Sequence, residues 1–202
     1  MNVRGLLFVF EGLDQSGKQT QADRLVQKLR AAGHRVETLS FPDYDTPIGH
    51  EIGLALRGER PFTPDTMQLL YVANRHEHLP AITTWLADGV MVVCDRYRAS
   101  SVAYGEAFGL DADWLTEIQR NLPPADLTVL LDIEPERAAA RKQADRDKYE
   151  RDLALLGRVR ASYLRQAASG GWVVINGAQT RDDVAASVAA AADAVLAHAH
   201  LT

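Results

Sequence analysis

The chain has a single cysteine among its 202 residues, so no internal disulfide can form, which fits a reducing, cytoplasmic setting. That residue, Cys94, closes an apolar run and reads as a packing residue rather than a nucleophile. Long apolar stretches are also missing. The first run, Leu6–Phe10, is short and stops at Glu11, and Met1–Gly5 carries one charge, which argues against a signal peptide and against a membrane span. An excess of positive charge is lacking too: the net charge is −5, which speaks against a nucleic-acid surface. The six histidines are scattered apart from His76 and His78, and no Cys/His spacing suggests zinc. Neither repeats nor a low-complexity linker interrupt the chain, and the only biased segment is alanine-rich, Ala185–Ala199.

What is present suits one α/β domain over residues 1–202, with 47% hydrophobic and 24% charged residues and enough chain for a substantial core. Leu6–Glu11, Val90–Asp95, Leu127–Asp132 and Trp172–Asn176 are nearly continuous in apolar residues, the mark of parallel strands covered on both faces. Arg35–Ser40 is more mixed and reads as an edge strand. Helical stretches are expected at Gln21–Ala32, Ile48–Leu56, Asp65–Asp88, Asp111–Asn121, Pro135–Ala168 (interrupted) and Arg181–His198. Alternating strands and helices predict a three-layer α/β fold with a five-stranded parallel sheet. Ligands in such sheets bind beyond the carboxyl ends of the strands. Polar groups gather at those ends: the loop after Glu11, then Phe41-Pro42-Asp43-Tyr44, Asp95-Arg96-Tyr97 and Asn176-Gly177-Ala178.

The loop after the first strand is Gly12-Leu13-Asp14-Gln15-Ser16-Gly17-Lys18. A buried strand that breaks into a glycine-spaced loop ending in Gly-Lys, then enters a helix, is the phosphate-binding P-loop arrangement. Glycines let main-chain N–H groups turn inward onto phosphate oxygens, the lysine adds a mobile charge, and the helix start adds its dipole. This machinery binds a nucleoside triphosphate. The usual hydroxyl residue after the lysine is replaced by Gln19. Thr20 follows, rotated by roughly 100° along a helix.

Three further constellations bear on chemistry. Asp95 can hold Mg²⁺ through water while Arg96 grips phosphate oxygens; the pair also reads as a structural ion pair at the sheet edge. Tyr71, Asn74 and Arg75 share one helix face and make either a base-reading surface or a core tyrosine beside a solvated polar pair. Arg137, Arg141, Lys142, Arg146, Lys148 and Arg151, interleaved with Asp145, Asp147 and Glu150, form either a solvated helix surface or a lid over the triphosphate.

These motifs together resemble the thymidylate kinase family, P-loop kinases that phosphorylate dTMP with ATP. Phe10-Glu11-Gly12-Leu13-Asp14 with Ser16-Gly17-Lys18 and Thr20-Gln21 resembles the family's phosphate loop. Phe41-Pro42 with Ile48-Gly49, Leu69-Leu70-Tyr71 with Ala73-Asn74-Arg75, and Asp95-Arg96-Tyr97 with Ser100, Ala103 and Tyr104 follow in family order. The resemblance implies a P-loop NTPase fold with a short helical lid over about 137–151. It makes Lys18, Asp14, Arg96 and a lid cation such as Arg146 the catalytic set. ATP would contact Gly12, Gln15, Ser16, Gly17, Lys18, Gln19 and Thr20, with Arg141 against adenine and Ala178 in the Asn176–Gln179 loop closing the other side. For dTMP, Tyr71 would stack on thymine, Arg75 bond a base carbonyl, Phe41 line the pocket and Arg96 hold the phosphate. Ser100 and Ser101 would lie near the base edge, Tyr104 under the deoxyribose, and Asp14 would position phosphate and metal. Thr20 and Asp95 are the implied Mg²⁺ contacts, and a homodimer is the implied assembly.

The chain departs from the family pattern at three positions. Many members carry arginine where Gln15 stands, and those lacking it place basic residues in the lid, for which Arg146, Lys148 and Arg151 are the candidates here. Some carry arginine at the Tyr44 position. Gln19 puts direct protein ligation of Mg²⁺ in question. The competing readings are a kinase for another pyrimidine (deoxy)nucleotide or deoxynucleoside, and a catalytically weakened nucleotide-binding homologue.

Overall fold

Every apolar run proposed as a strand forms one. The computed structural model describes residues 4–141 and 152–199. In order they are β1 (Leu7–Glu11), α1 (Lys18–Ala31), β2 (Val36–Ser40), α2 (Pro47–Leu56), α3 (Pro64–Ala87), β3 (Met91–Asp95), α4 (Arg98–Ala107), α5 (Ala112–Glu117), β4 (Leu127–Asp132), α6 (Pro135–Arg141), α7 (Leu153–Gly170), β5 (Val173–Asn176) and α8 (Arg181–Ala199). The five strands are parallel in the order β2-β3-β1-β4-β5. β1 is central and buried along its whole length, which is why its sequence shows no polar alternation.

Successive residues of β1 supply the two faces. Phe8 and Phe10 pack with Leu25, Val26 and Leu29 of α1 and Val184 and Val188 of α8. Leu7 and Val9 pack with Ile82 and Leu86 of α3, while Leu130 of β4 meets α4 and α7 through Ala99, Ala103, Val159 and Tyr163. These are the three expected layers. The chain switches direction across the sheet at β1, where β3 and β4 flank it on opposite sides, so the crevice opens at the carboxyl end of β1.

β2 forms one edge of the sheet, as its mixed composition predicts. Trp172–Asn176 does not lie in the sheet interior as its apolar run suggests: β5 is the other edge, and Val174 is 48% exposed. Helix α5 is shorter than expected, passing into turns after Glu117. Helix α4 falls where the apolar pattern predicts none. Its small residues pack Ala99, Ala103 and Ala107 against α7, and its start is capped from elsewhere: the Glu11 carboxylate accepts from the Tyr97 and Ser100 N–H groups at 2.9 and 3.3 Å. The basic segment expected as a lid begins in α6, and its later part, with Lys142, Arg146, Lys148 and Arg151, lies outside the described residues.

Candidate active site

The phosphate loop owes its shape to two glycines. Gly12 has φ +138°, and a Cβ there would meet the Leu131 carbonyl oxygen at 2.5 Å, so the turn out of β1 excludes any side chain. Gly17, at φ +102°, precedes α1 and gives it no side-chain cap. The first N–H groups of α1, on Lys18, Gln19 and Thr20, are therefore free to receive an anion. Lys18 is buried and folds back over the loop, donating from Nζ to the Leu13 carbonyl at 2.9 Å. Burial lowers its pKa, and the neighbouring Arg96 charge lowers it further, against the opposing pull of Asp95, Asp14 and Glu11.

A cavity of about 540 Å³ lies over this loop, walled by Asp95, Arg141, Gly177 and Gln179. Gln15, Ser16, Lys18 and Thr20 line it, as does Gln19, whose amide donates to Asp23 at 2.9 Å, along the helix. Arg141 fastens the two rims: it donates to the Gln15 and Ser16 carbonyls at 2.9 and 3.4 Å and to the Gly177 carbonyl at 2.8 Å. Ala178 donates its N–H to the Asn176 side chain at 2.9 Å, and the wall itself is formed by its neighbours Gly177 and Gln179.

Asp14 joins this cavity to a second group of side chains. Arg96, at φ +64°, donates from Nη2 to Asp14 Oδ1 at 2.7 Å and from Nη1 to Tyr163 and Ser100 at 3.1 and 3.3 Å. Its guanidinium carbon stands 5.5 Å from the Tyr104 ring centre, and the Tyr104 hydroxyl donates to Asp14 at 3.4 Å. Burial alone would raise the Asp14 pKa, but the Arg96 and Lys18 charges outweigh it and hold the carboxyl well below the usual range. Arg96 thus pairs with Asp14 rather than with its neighbour Asp95, whose Oδ1 is buried with no hydrogen-bond partner among the described residues.

Arg75 is buried. It donates to Ser101 Oγ at 2.8 Å and lies 5.8 Å from the Phe41 ring centre. Tyr71 and Tyr104 face one small cavity of about 230 Å³ with Met67, Gln68 and Phe108. The structure therefore sets Tyr104 against both Asp14 and Arg96 and across a small cavity from Tyr71, while Arg75, one turn along α3 from Tyr71, lies beside Phe41. Two expected base contacts are already engaged by protein: Ser100 Oγ donates to Glu11 at 2.6 Å and Ser101 receives Arg75. Asn74 shares a helix with Tyr71 and Arg75 but serves the fold: it accepts from the Asp43 N–H at 2.9 Å and donates to Thr46 at 2.8 Å.

Glu11, Tyr163 and Gln119 bond to the site's side chains, and no motif in the sequence gives them a role. Glu11 is fully buried and receives four donors, the N–H groups of Tyr97 and Ser100 and the hydroxyls of Ser100 and Tyr163. The signal was there: a carboxylate ending a wholly apolar strand must find partners. Tyr163 lies within α7 at an ordinary core spacing, and nothing in the sequence separates it from packing residues.

A central strand feeding a glycine loop, an anion-ready helix start and a facing arginine–carboxylate pair define a P-loop phosphotransferase acting on nucleotides. Comparison with known proteins narrows this. The family model described as thymidylate kinase matches residues 10–188, and the chain belongs to that family. It is 36% identical over 181 residues to a thymidylate kinase of Arabidopsis thaliana, covering 90% of this chain and 68% of that one. With the human thymidylate kinase it shares 39% identity over 148 residues, covering 73% and 70%. The solved thymidylate kinase of Candida albicans, whose structure is described as revealing the origin of its broad substrate specificity, superposes with a TM-score of 0.79 at 29% identity, covering 92% of this chain and 89% of that one.

Proposed function

We propose that this chain transfers the γ-phosphoryl group of ATP to dTMP, giving ADP and dTDP. The observation that carries this reading is the Asp14–Arg96 pair: Asp14 lines the phosphate cavity, and Tyr104, which touches both members of the pair, lines a second small pocket with Tyr71. ATP would lie with its phosphates on Gly12–Thr20 and its base beside Arg141 and the Gly177–Gln179 loop. Arg96 would hold the dTMP phosphate, with Asp14 fixing the arginine. Tyr71 would stack on thymine, and Tyr104 would crowd out a 2′-hydroxyl.

A dTMP phosphate oxygen attacks the γ-phosphorus, and the bond to the β,γ-bridging oxygen breaks, releasing ADP. The nucleophile is already anionic at neutral pH, so no base is required. Alignment and positive charge do the work, from Lys18, Arg96 and a lid cation among Arg146, Lys148 and Arg151. Mg²⁺ fits the donor set: the buried Asp95 Oδ1, without a hydrogen-bond partner among the described residues, and Thr20 border the phosphate cavity. Among the described residues no three His, Cys, Asp or Glu side chains converge, so nucleotide oxygens and water would complete its shell. When bound, the ion neutralises charge on the triphosphate.

Among the described residues no helix is long and apolar enough to cross a membrane. We place the protein in the cytoplasm as a homodimer of one-domain subunits, and light scattering coupled to size exclusion tests the assembly. A coupled ADP-release assay with dTMP, dUMP, CMP and thymidine tests the activity. Rapid turnover with dTMP and none with thymidine is expected, because Arg96 requires an anionic acceptor. Preference for CMP or thymidine would overturn the reading.

A further inference from the structure

We propose that Gln119, which follows α5, is a positioning residue that aims Arg75 at a carbonyl of the acceptor's pyrimidine; this rests on the proposed dTMP acceptor. Gln119 is 1% exposed, and all its polar atoms are committed. Its Nε2 donates to the Leu115 and Arg98 carbonyls at 2.8 and 3.2 Å. With both amide hydrogens taken by main chain, the side chain cannot flip, and Oε1 must face Arg75 Nη1, which donates to it at 3.3 Å. The same Nη1 donates to Ser101, and the Phe41 ring lies alongside the guanidinium. The guanidinium is thus gripped at one nitrogen and one face. Arg75 Nε is buried with no partner among the described residues.

The chemistry of the grip matters as much as its place. Among the described residues no carboxylate forms an ion pair with Arg75, and burial lowers its pKa from the usual value while Glu11 opposes this from nearby. A carboxylate at position 119 would bind the guanidinium by charge-assisted hydrogen bonds and spend its donor strength on protein. A neutral amide oxygen orients it and leaves the charge for the ligand. Arginine only donates, so an Arg75 held this way accepts a ring carbonyl and rejects an amino group in its place. Gln119 thereby sets thymine against cytosine without touching either.

The test is steady-state kinetics of the full-length wild type, Gln119→Met and Gln119→Asn with dTMP and dCMP. Loss of one oriented charge-assisted contact should raise KM for dTMP roughly fivefold to twentyfold. Turnover number and KM for ATP should stay within about twofold, and the preference for dTMP over dCMP should shrink by a similar factor. A purely structural role would lower Tm and leave both KM and preference unchanged, overturning the proposal. Gln119→Asn keeps the amide but withdraws it by one methylene, so it carries the test if the methionine variant does not fold. A wild type inactive on dTMP would overturn the proposed function and this inference with it; an active wild type with unaltered variants would overturn this inference alone.

Discussion

Arg96 and Asp14 lie 82 positions apart in sequence yet meet at 2.7 Å, because β1 and β3 are adjacent and in register, with Phe10 opposite Asp95. Arg96 also donates its main-chain N–H to the Phe10 carbonyl at 2.9 Å, which fixes the residue before its side chain does anything.

Asp14→Asn should therefore disarm the acceptor side without unfolding the protein. The amide cannot balance the Arg96 charge. We expect a loss of at least about 100-fold in kcat/KM for dTMP, roughly 2.7 kcal/mol, with KM for ATP much less affected. Arg96→Lys should fail to substitute, because an ammonium cannot span Asp14, Tyr163 and Ser100 while lying on the Tyr104 ring. Steady-state kinetics with each substrate varied in turn checks both.

Lys18→Ala removes the cation folded over the phosphate loop. Turnover should fall by well over tenfold, more than about 1.4 kcal/mol in barrier. A smaller drop would remove the lysine from the catalytic set.

Tyr163→Phe deletes a hydroxyl that receives Arg96 and donates to Glu11. Ser100 remains bonded to both, so the predicted effect is graded: KM for dTMP rises about threefold to tenfold, as for one partly compensated hydrogen bond, while kcat changes little. Equal losses toward ATP and dTMP would contradict this.

Asn74→Leu tests a structural assignment. The substitution leaves the Asp43 N–H without its partner and removes one of three bonds to the Thr46 hydroxyl, and the expected cost is about 2–3 kcal/mol. For a chain of this size that corresponds to a fall in Tm of roughly 5–10 °C, readable by calorimetry.

The depressed Asp14 pKa gives a signed pH dependence. A carboxyl held lower in the folded than in the unfolded protein stabilises above the unfolded value and loses that contribution as pH falls. Stabilisation from Asp14 should be complete by about pH 5 and decline below its ordinary value of 3.8. Chemical denaturation of wild type and Asp14→Asn at pH 7 and pH 3 should show the gap between them narrowing in acid.

Much of this was legible in the sequence because buried parallel strands and glycine-forced turns leave local signatures. The phosphate loop, the strand ends carrying Asp95 and Arg96, and the helix carrying Tyr71 and Arg75 could be placed from spacing and motif order. Helix α4 could not, because it is built from small residues and capped by Glu11 from a distant strand. The edge position of β5 was hidden because Trp172–Asn176 is apolar despite its exposure. The partners of Arg96 and Arg75, Tyr163 and Gln119, come from α7 and from the turn after α5, and only tertiary packing reveals which polar side chain in a helix points inward. Asn74 shows the reverse: a residue placed by spacing on a candidate binding face is spent on holding a loop.

Arg141 draws three main-chain oxygens, from Gln15, Ser16 and Gly177, onto one guanidinium. Carbonyl dipoles aimed at a common point repel one another unless a cation sits among them, so this side chain works as a keystone. The width of the donor cleft is accordingly set by one residue at the end of α6 that bridges both rims, and neutralising its charge would let the Gly177 rim draw away from the Gln15–Ser16 turn.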